Sequence, residues 1–231
     1  MSSFNKGLKL GIPIAMGYIP VSFTFGLMAV QGGLSPWIAV LISLTNLTSA
    51  GQFAGTSLII SGGTLPEITL TTFVINIRYM LMSLSLSQKI VPNMSLAEKA
   101  VMSFGITDET FSVASLEKED ITFSYMLGII TLPYFGWAFG TLLGASASSL
   151  LPQDLKDSMG IALYAMFIAL VVPASKKSKA ALTVAVVAIA INSMLTWVPY
   201  INSLSSGWDI IISTVVACIF GAAVFPAGEV D

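Results

Sequence analysis

Arg78 stands at the midpoint of ITLTTFVINIRYMLMSLSLSQ, residues 68–88, a run of 21 residues that is otherwise mostly apolar. About 20 such residues span the ~30 Å hydrocarbon core of a bilayer. An arginine at the centre of a span costs ~2.5–3.5 kcal/mol even on the lenient insertion scale. A charge placed there must face a cavity or a partner. The acidic pair in a semi-apolar setting is Asp108 and Glu109, within TDETF, and one of them is expected to neutralise Arg78, because a buried charge needs a partner. Two roles fit such a pair. It pins a helix bundle as a structural ion pair, or it serves transport: Arg78 as a carboxylate ligand or gate, Asp108 or Glu109 as the ion carrier.

Other polar groups fall within apolar runs. In LTNLTSAGQFAGTS, residues 44–57, Thr45, Ser49, Gln52 and Thr56 are spaced 4, 3 and 4 apart and share one face of a continuous helix. Gly51 and Gly55 form a G-x-x-x-G pair that admits close approach of another backbone. The stripe either lines a cavity or supplies interhelical hydrogen bonds. In GIPIAMGYIPVSFTFG, residues 11–26, Pro13 and Pro20 each remove a ladder hydrogen bond. A broken first span near Pro20 is expected, offering free amides to a carboxylate; the lesser outcome is a kink.

The elements that must position these groups are membrane spans. The chain is 55% hydrophobic and 10% charged, with a mean hydropathy of +0.87, where a soluble domain carries about 25% charged residues. It is read as a single transmembrane domain over 1–231, an all-α integral membrane protein with spans near 10–30, 36–60, 68–88, 121–146, 158–175, 180–199 and 209–228. Residues 91–120 break the pattern, because lipid does not accept Asp108 and Glu109 together; an amphipathic linker or a re-entrant segment is expected there. Trp37, Trp197, Tyr200 and Trp208 fall near span ends as interfacial anchors, whereas Trp137 lies deeper. Pro20 and Pro133, LSP at 34–36 and LLP at 150–152, and Asn76 and Asn192 are offset by 113, 116 and 116 residues. Such offsets suggest three-helix repeats over 1–90 and 120–200, inverted in the membrane as in many secondary transporters, with an additional helix over 205–231. The lysine distribution leaves the N-terminal side open but places KKSK and the C-terminus in the cytoplasm.

Several chemistries are excluded by composition. There is no histidine, and Cys218 is the only cysteine, so disulfides, a Cys/His metal site, a Ser-His-Asp triad and a histidine relay have no residues to build them. Cys218 reads as a small core residue. No cofactor, metal site or enzymatic activity is expected, and with a net charge of −2 no nucleic-acid partner. A Walker lysine loop is absent, so transport would draw on an ion gradient. The alternative is a channel or a structural subunit of a membrane complex for another small amphipathic metabolite.

AGQFAG around Gln52, NIRYML around Arg78, TDETF around Asp108 and the early GYIPVSFTFG together resemble the AzlC family, the large subunits of bacterial branched-chain amino acid exporters. The resemblance implies export of leucine, isoleucine, valine and sometimes methionine across the bacterial cytoplasmic membrane, and a small hydrophobic AzlD-type partner subunit. A zwitterionic amino acid needs carboxylate donors, ammonium acceptors and an apolar pocket. Arg78 and amides near Pro20 are candidate donors. Gln52 and Asn76 are candidate acceptors, and Phe23, Phe25, Met80 and Met82 are candidates for the pocket. Asn192, matching Asn76 in the second repeat, is a further cavity-lining candidate.

Overall fold

The computed structural model describes residues 3–148, 178–198 and 206–225, together with positions 150, 152, 168, 171, 172, 175 and 176. The described helices are α1 (Ser3–Gln31), α2 (Pro36–Thr45), α3 (Ala50–Ile60), α4 (Leu65–Ser87), α5 (Leu96–Phe104), α6 (Asp108–Ser115), α7 (Phe123–Ala147), α8 (Lys179–Trp197) and α9 (Ser206–Val224). Five of them, α1, α4, α7, α8 and α9, are long and apolar enough to cross a membrane. Spanning segments must satisfy their backbone polar groups internally, which a helix does. The protein is an all-α, multi-pass integral membrane protein.

Local chemistry sets the breaks between helices. Gly33, at φ +94°, carries the left-handed turn that ends α1. Ser35 then caps α2, its hydroxyl accepting from the Ile38 amide at 3.4 Å, with Pro36 at the first helical position. Ser95 and Glu98 form a reciprocal capping box on α5, and Thr107 and Thr110 do the same on α6.

The chain divides into two compact units. One holds residues up to Phe53 and from Ile75 through α7; the other holds residues 54–74 and the described C-terminal helices. The helices α3 and α4 each run through both units. In the second unit, Glu67 accepts from the Thr64 amide at 3.4 Å and from the Gly207 amide at 2.8 Å. One carboxylate thus caps the starts of both α4 and α9. Gly221 of α9 packs against Val184 of α8.

The first unit is built on α1 and α7. A methyl on Gly7 would fall on the Tyr125 carbonyl oxygen, one on Gly26 on that of Thr141, one on Gly128 on that of Phe4 and one on Gly144 on that of Phe23. Glycine alone lets the two backbones come this close, the device that replaces the hydrophobic effect between helices in lipid. Residue 7 meets 125 and residue 26 meets 141 and 145, so the two helices lie parallel. The contacts Lys6 Nζ–Glu117 Oε2 at 2.7 Å, Ile121 N–Lys89 O at 2.7 Å and Lys89 Nζ–Ser115 O at 2.6 Å tie the ends of α4 and α6 to the starting end of this pair. The Lys6 ammonium holds the Glu117 carboxyl down to about 2.

Four expectations change. The span at 36–60 is not one helix: α2 stops at Thr45, α3 begins at Ala50, and Ser49 between them adopts φ +47°. The stripe of Thr45, Ser49, Gln52 and Thr56 therefore shares no continuous face. The first span, conversely, is not broken at Pro20. Pro13 and Pro20 both lie inside continuous α1, where the Pro20 carbonyl accepts from Thr24 Oγ1 at 3.1 Å and packing on α7 fixes the axis. Pro133 likewise lies inside continuous α7. Cys218 is exposed on α9 and not in the core. The span near 158–175 lies almost wholly outside the described residues.

The broken segments form two helical hairpins that approach from opposite ends of the α1–α7 pair. The first enters on α2 from the end where α1 finishes. It reaches Thr141 through Ser43 at 2.7 Å and Tyr134 through the Leu44 carbonyl at 3.0 Å, breaks at residues 46–49, and restarts as α3. Gly51 then packs on Asn76 and, further along, Gly55 on Thr72, so α3 runs antiparallel to α4. The second hairpin leaves the starting end on α5. Phe104 meets Tyr134 edge-on at 6.0 Å, residues 105–107 turn beside Tyr18, and α6 returns to Lys89. Residues 91–120 are this hairpin. The motif offset pairs α1 with α7, yet these run parallel, whereas helices equivalent under an inverted repeat run antiparallel.

The glycine contacts separate two substitutions of the same kind. Gly17 has nothing within 4 Å of an added methyl, whereas Gly144 meets the Phe23 backbone. Gly144→Ala is expected to cost about 1–3 kcal/mol by overpacking, read as a lower thermal midpoint in detergent. Gly17→Ala should leave the midpoint unchanged or raise it.

Candidate functional site

Both hairpins put helix ends where a continuous span would have none, and side chains from α1, α4 and α7 collect around those ends. At the first break, Thr48 Oγ1 donates to Asn46 Oδ1 at 2.6 Å, and the Thr48 carbonyl accepts from Tyr79 Oη at 3.1 Å. Arg78 lies against the Tyr79 ring, its guanidinium carbon 5.0 Å from the centroid, and Nη2 donates to Tyr79 Oη at 3.1 Å. The same Nη2 lies 2.9 Å from Asp108 Oδ2, at the start of α6. A single polar chain, Thr48–Tyr79–Arg78–Asp108, thus joins the tips of the two hairpins. Arg78 meets the demand for a counter-charge and also stacks on an aromatic face, a combination of contacts that a lysine does not reproduce.

Asp108 and Glu109 divide the work. Asp108 takes Arg78, and Glu109 Oε2 accepts from Tyr18 Oη at 2.6 Å. Tyr18, halfway along α1, also lies 2.6 Å from Thr107 Oγ1. The tip itself is stiff: the Thr107 amide donates to Thr110 Oγ1 at 2.8 Å, and that hydroxyl reaches the Gly105 carbonyl at 2.8 Å.

Gln52 is part of a closed network. It is 1% exposed. Its Nε2 donates to Ser43 Oγ at 2.7 Å, its Oε1 accepts from Trp137 Nε1 at 3.0 Å, and Ser43 pairs with Thr141 at 2.7 Å. Both ends of the amide are used by the protein, which leaves Gln52 to hold the first hairpin on α7 and not to meet a ligand. Trp137 meets Tyr18 edge-on at 5.2 Å, so the anchors of the two hairpins touch. Polar atoms remain over. Asn76 Oδ1 and Arg78 Nε are buried without a hydrogen-bond partner among the described residues. Asn76 packs on Gly51 from a different face of α4 than Arg78 uses.

Of the sequence candidates, Arg78, Asp108 and Glu109 come together, Asn76 sits one helix face away, and Gln52 lies at the other hairpin. Pro20 is exposed. Phe23 is half-buried with its carbonyl against Gly144. Asn192 belongs to the second unit, where its carbonyl accepts from Thr196 Oγ1 at 2.9 Å. The expected apolar pocket changes too: Phe25 is fully enclosed, 5.3 Å from the Phe53 ring, and Met80 is exposed. An apolar cavity of about 310 Å³ lies instead between α5 and α7, lined by Met102, Phe104, Ile130, Tyr134 and Phe135 among others. Sequence reasoning missed Tyr18, Tyr79, Ser43, Thr107 and Thr141. The motifs GYIPVSFTFG, NIRYML and TDETF contain Tyr18, Tyr79 and Thr107 without singling them out, and Trp137 stands out only as the tryptophan that sits away from a span end.

A family model described as AzlC protein matches residues 13–151. The chain is 31% identical to the inner membrane protein YgaZ of Escherichia coli over 206 residues, 86% of this chain and 84% of that protein. It is 36% identical to an uncharacterized membrane protein of Archaeoglobus fulgidus over 216 residues, 89% of this chain and 95% of that one. An uncharacterized membrane protein of Helicobacter pylori is 26% identical over 185 residues, 77% of this chain and 80% of its own. No solved structure matches.

The closed network predicts a structural phenotype. Trp137→Phe removes the donor to Gln52 Oε1 and leaves a buried acceptor unpaired, a cost of about 1–3 kcal/mol. The thermal midpoint in detergent should fall accordingly. Gln52→Leu/Trp137→Phe should cost less than the sum of its parts.

Proposed function

We propose, from the premise that this chain belongs to the AzlC protein family, that it is the large subunit of a secondary transporter exporting branched-chain amino acids, with methionine tolerated, across the bacterial cytoplasmic membrane. The observation that carries this reading is Arg78: a guanidinium in a membrane helix, held between two broken hairpins that approach from opposite ends. Broken helices inside a membrane are tolerated where they are buried in protein or line a cavity, and opposed ones build substrate sites in several transporter folds. A site open to each side in turn is what export needs.

In this reading the substrate carboxylate goes to Arg78, and its ammonium to Glu109 and to carbonyls at the tips, that of Thr48 among them. The aliphatic side chain goes to apolar surface beside the second tip, of which the cavity between α5 and α7 is the preformed part. Met102 in that lining adapts to several aliphatic shapes, which favours broad selectivity. An extra charge on the substrate finds no solvation there. Energy comes from an ion gradient. A small hydrophobic AzlD-type subunit is the proposed partner. The helix α8, which buries none of its residues, offers surface for it.

Counterflow of labelled leucine in proteoliposomes, with and without the small membrane protein encoded beside this chain, tests the reading. Saturable exchange is expected, competed by isoleucine, valine and methionine and not by lysine or glutamate, and abolished by Arg78→Ala. Non-saturable flux would point to a channel, and equal competition by charged amino acids would remove the proposed site.

A further inference from the structure

The second hairpin is held at its tip differently from the way α1 and α7 hold each other. The helices α1 and α7 meet backbone to backbone through glycines, a contact with no partial states. The hairpin tip, stiffened by its own Thr107–Thr110 box, reaches its neighbours by side-chain polar contacts: Tyr18 with Thr107 and Glu109, each at 2.6 Å, and Arg78 with Asp108 at 2.9 Å. Hydroxyls and carboxylates exchange such partners readily, because any ligand with a matching group competes for them.

The ion pair is also incomplete. Asp108 Oδ2 lies 2.9 Å from Arg78 Nη2, and among the described residues Arg78 Nε is buried with no hydrogen-bond partner. A guanidinium binds a carboxylate best through two parallel N–H donors. The α-carboxylate of a free amino acid is not tethered to a helix start and can take the two-donor position that Asp108 leaves unused. Arg78 has already spent Nη2 on Asp108 and Tyr79, so a bound carboxylate and Asp108 compete for the same donor.

We infer that Asp108 is an internal stand-in for the substrate carboxylate. Arg78 holds Asp108, which keeps the α5–α6 hairpin closed on α1, or it holds the substrate carboxylate, which frees the hairpin to open. The inference rests on the substrate class proposed above and adds to it a mechanism: binding and gate release are one exchange of carboxylates on a single guanidinium. It explains why a transporter of zwitterions carries an acid beside its carboxylate ligand, where a permanent competitor would otherwise only weaken binding. A ligand shifts a conformational equilibrium only through differential affinity for the two states, and here the difference is the Arg78–Asp108 contact itself.

The test uses full-length protein in proteoliposomes with Cys218→Ser as background and Ile106→Cys, at the 4% exposed tip position, as reporter. Labelling by a thiol reagent should be slow without ligand and accelerated by L-leucine. Leucine methyl ester, which lacks the carboxylate, should leave it slow. In Asp108→Asn the reporter should label fast with or without leucine, while Asp108→Glu, which keeps the charge, should restore slow labelling. Without the reporter, Asp108→Asn should bind leucine more tightly than the parent by at least about 5-fold, the lower end of ordinary coupling between linked sites; this measurement stands even if Ile106→Cys fails to fold. Leucine that binds the parent without changing its labelling, together with unchanged affinity in Asp108→Asn, overturns the inference and leaves the substrate reading intact. Absence of leucine binding to both proteins removes the substrate reading, and the inference falls with it.

Discussion

A guanidinium inside a membrane helix must be answered by a counter-charge, and the first unit of this protein is organised around that requirement. Arg78 cannot face lipid, so α4 must turn that face to protein or water, and the paired Arg78 and Asp108 side chains stay 41% and 39% exposed. The acid that answers it starts a short helix, so the chain must break to present it. The break exposes backbone amides and carbonyls, so it must be capped, and Thr107 and Thr110 do this. Tyr79 carries the same demand across to the other broken hairpin at Thr48. Each step follows from the one before it by the cost of leaving a polar group unpaired in a low-dielectric medium.

Two kinds of contact share the unit and divide its mechanical roles. The glycine seam of α1 and α7 has no slack, since any side chain beyond hydrogen would displace backbone. The hairpin tips are joined to that seam by hydroxyls, amides and carboxylates at 2.6–3.0 Å, which can break and re-form without rebuilding a core. Tyr18 and Trp137, one from each seam helix and in contact with each other, hold one tip apiece. In the transporter reading proposed above, a rigid post with two detachable arms would supply alternating access.

The sequence made the charge problem legible and its solution partly so. A lone arginine amid apolar residues and a lone acidic pair in a semi-apolar stretch point to each other because electrostatic cost has few escapes in lipid. The breaks were harder to place. Proline drew attention to α1, yet Pro20 lies inside a helix that stays continuous where it packs on α7. The break falls instead at Asn46–Ser49, in a segment with no proline and with a non-glycine residue at φ +47°. Tertiary contacts from Tyr79 and Gln52 stabilise that turn, and no local pattern encodes them. Gln52 shows the same limit: a polar residue on a membrane helix reads as a ligand until its two partners, one of them 85 residues away, are seen to occupy it. The glycines of α1 and α7 were visible individually, but their mutual contact depends on a parallel pairing that only the fold supplies.

The central claim is that Arg78 and Asp108 act on each other as one unit. A double-mutant cycle in thermal stability, with Arg78→Ala, Asp108→Ala and the double variant in the same detergent, measures this without assuming a substrate. The account predicts that each single variant loses stability by stranding a charge, and that the double variant recovers part of the loss, with an interaction energy of about 0.5–3 kcal/mol. Strictly additive losses would contradict it.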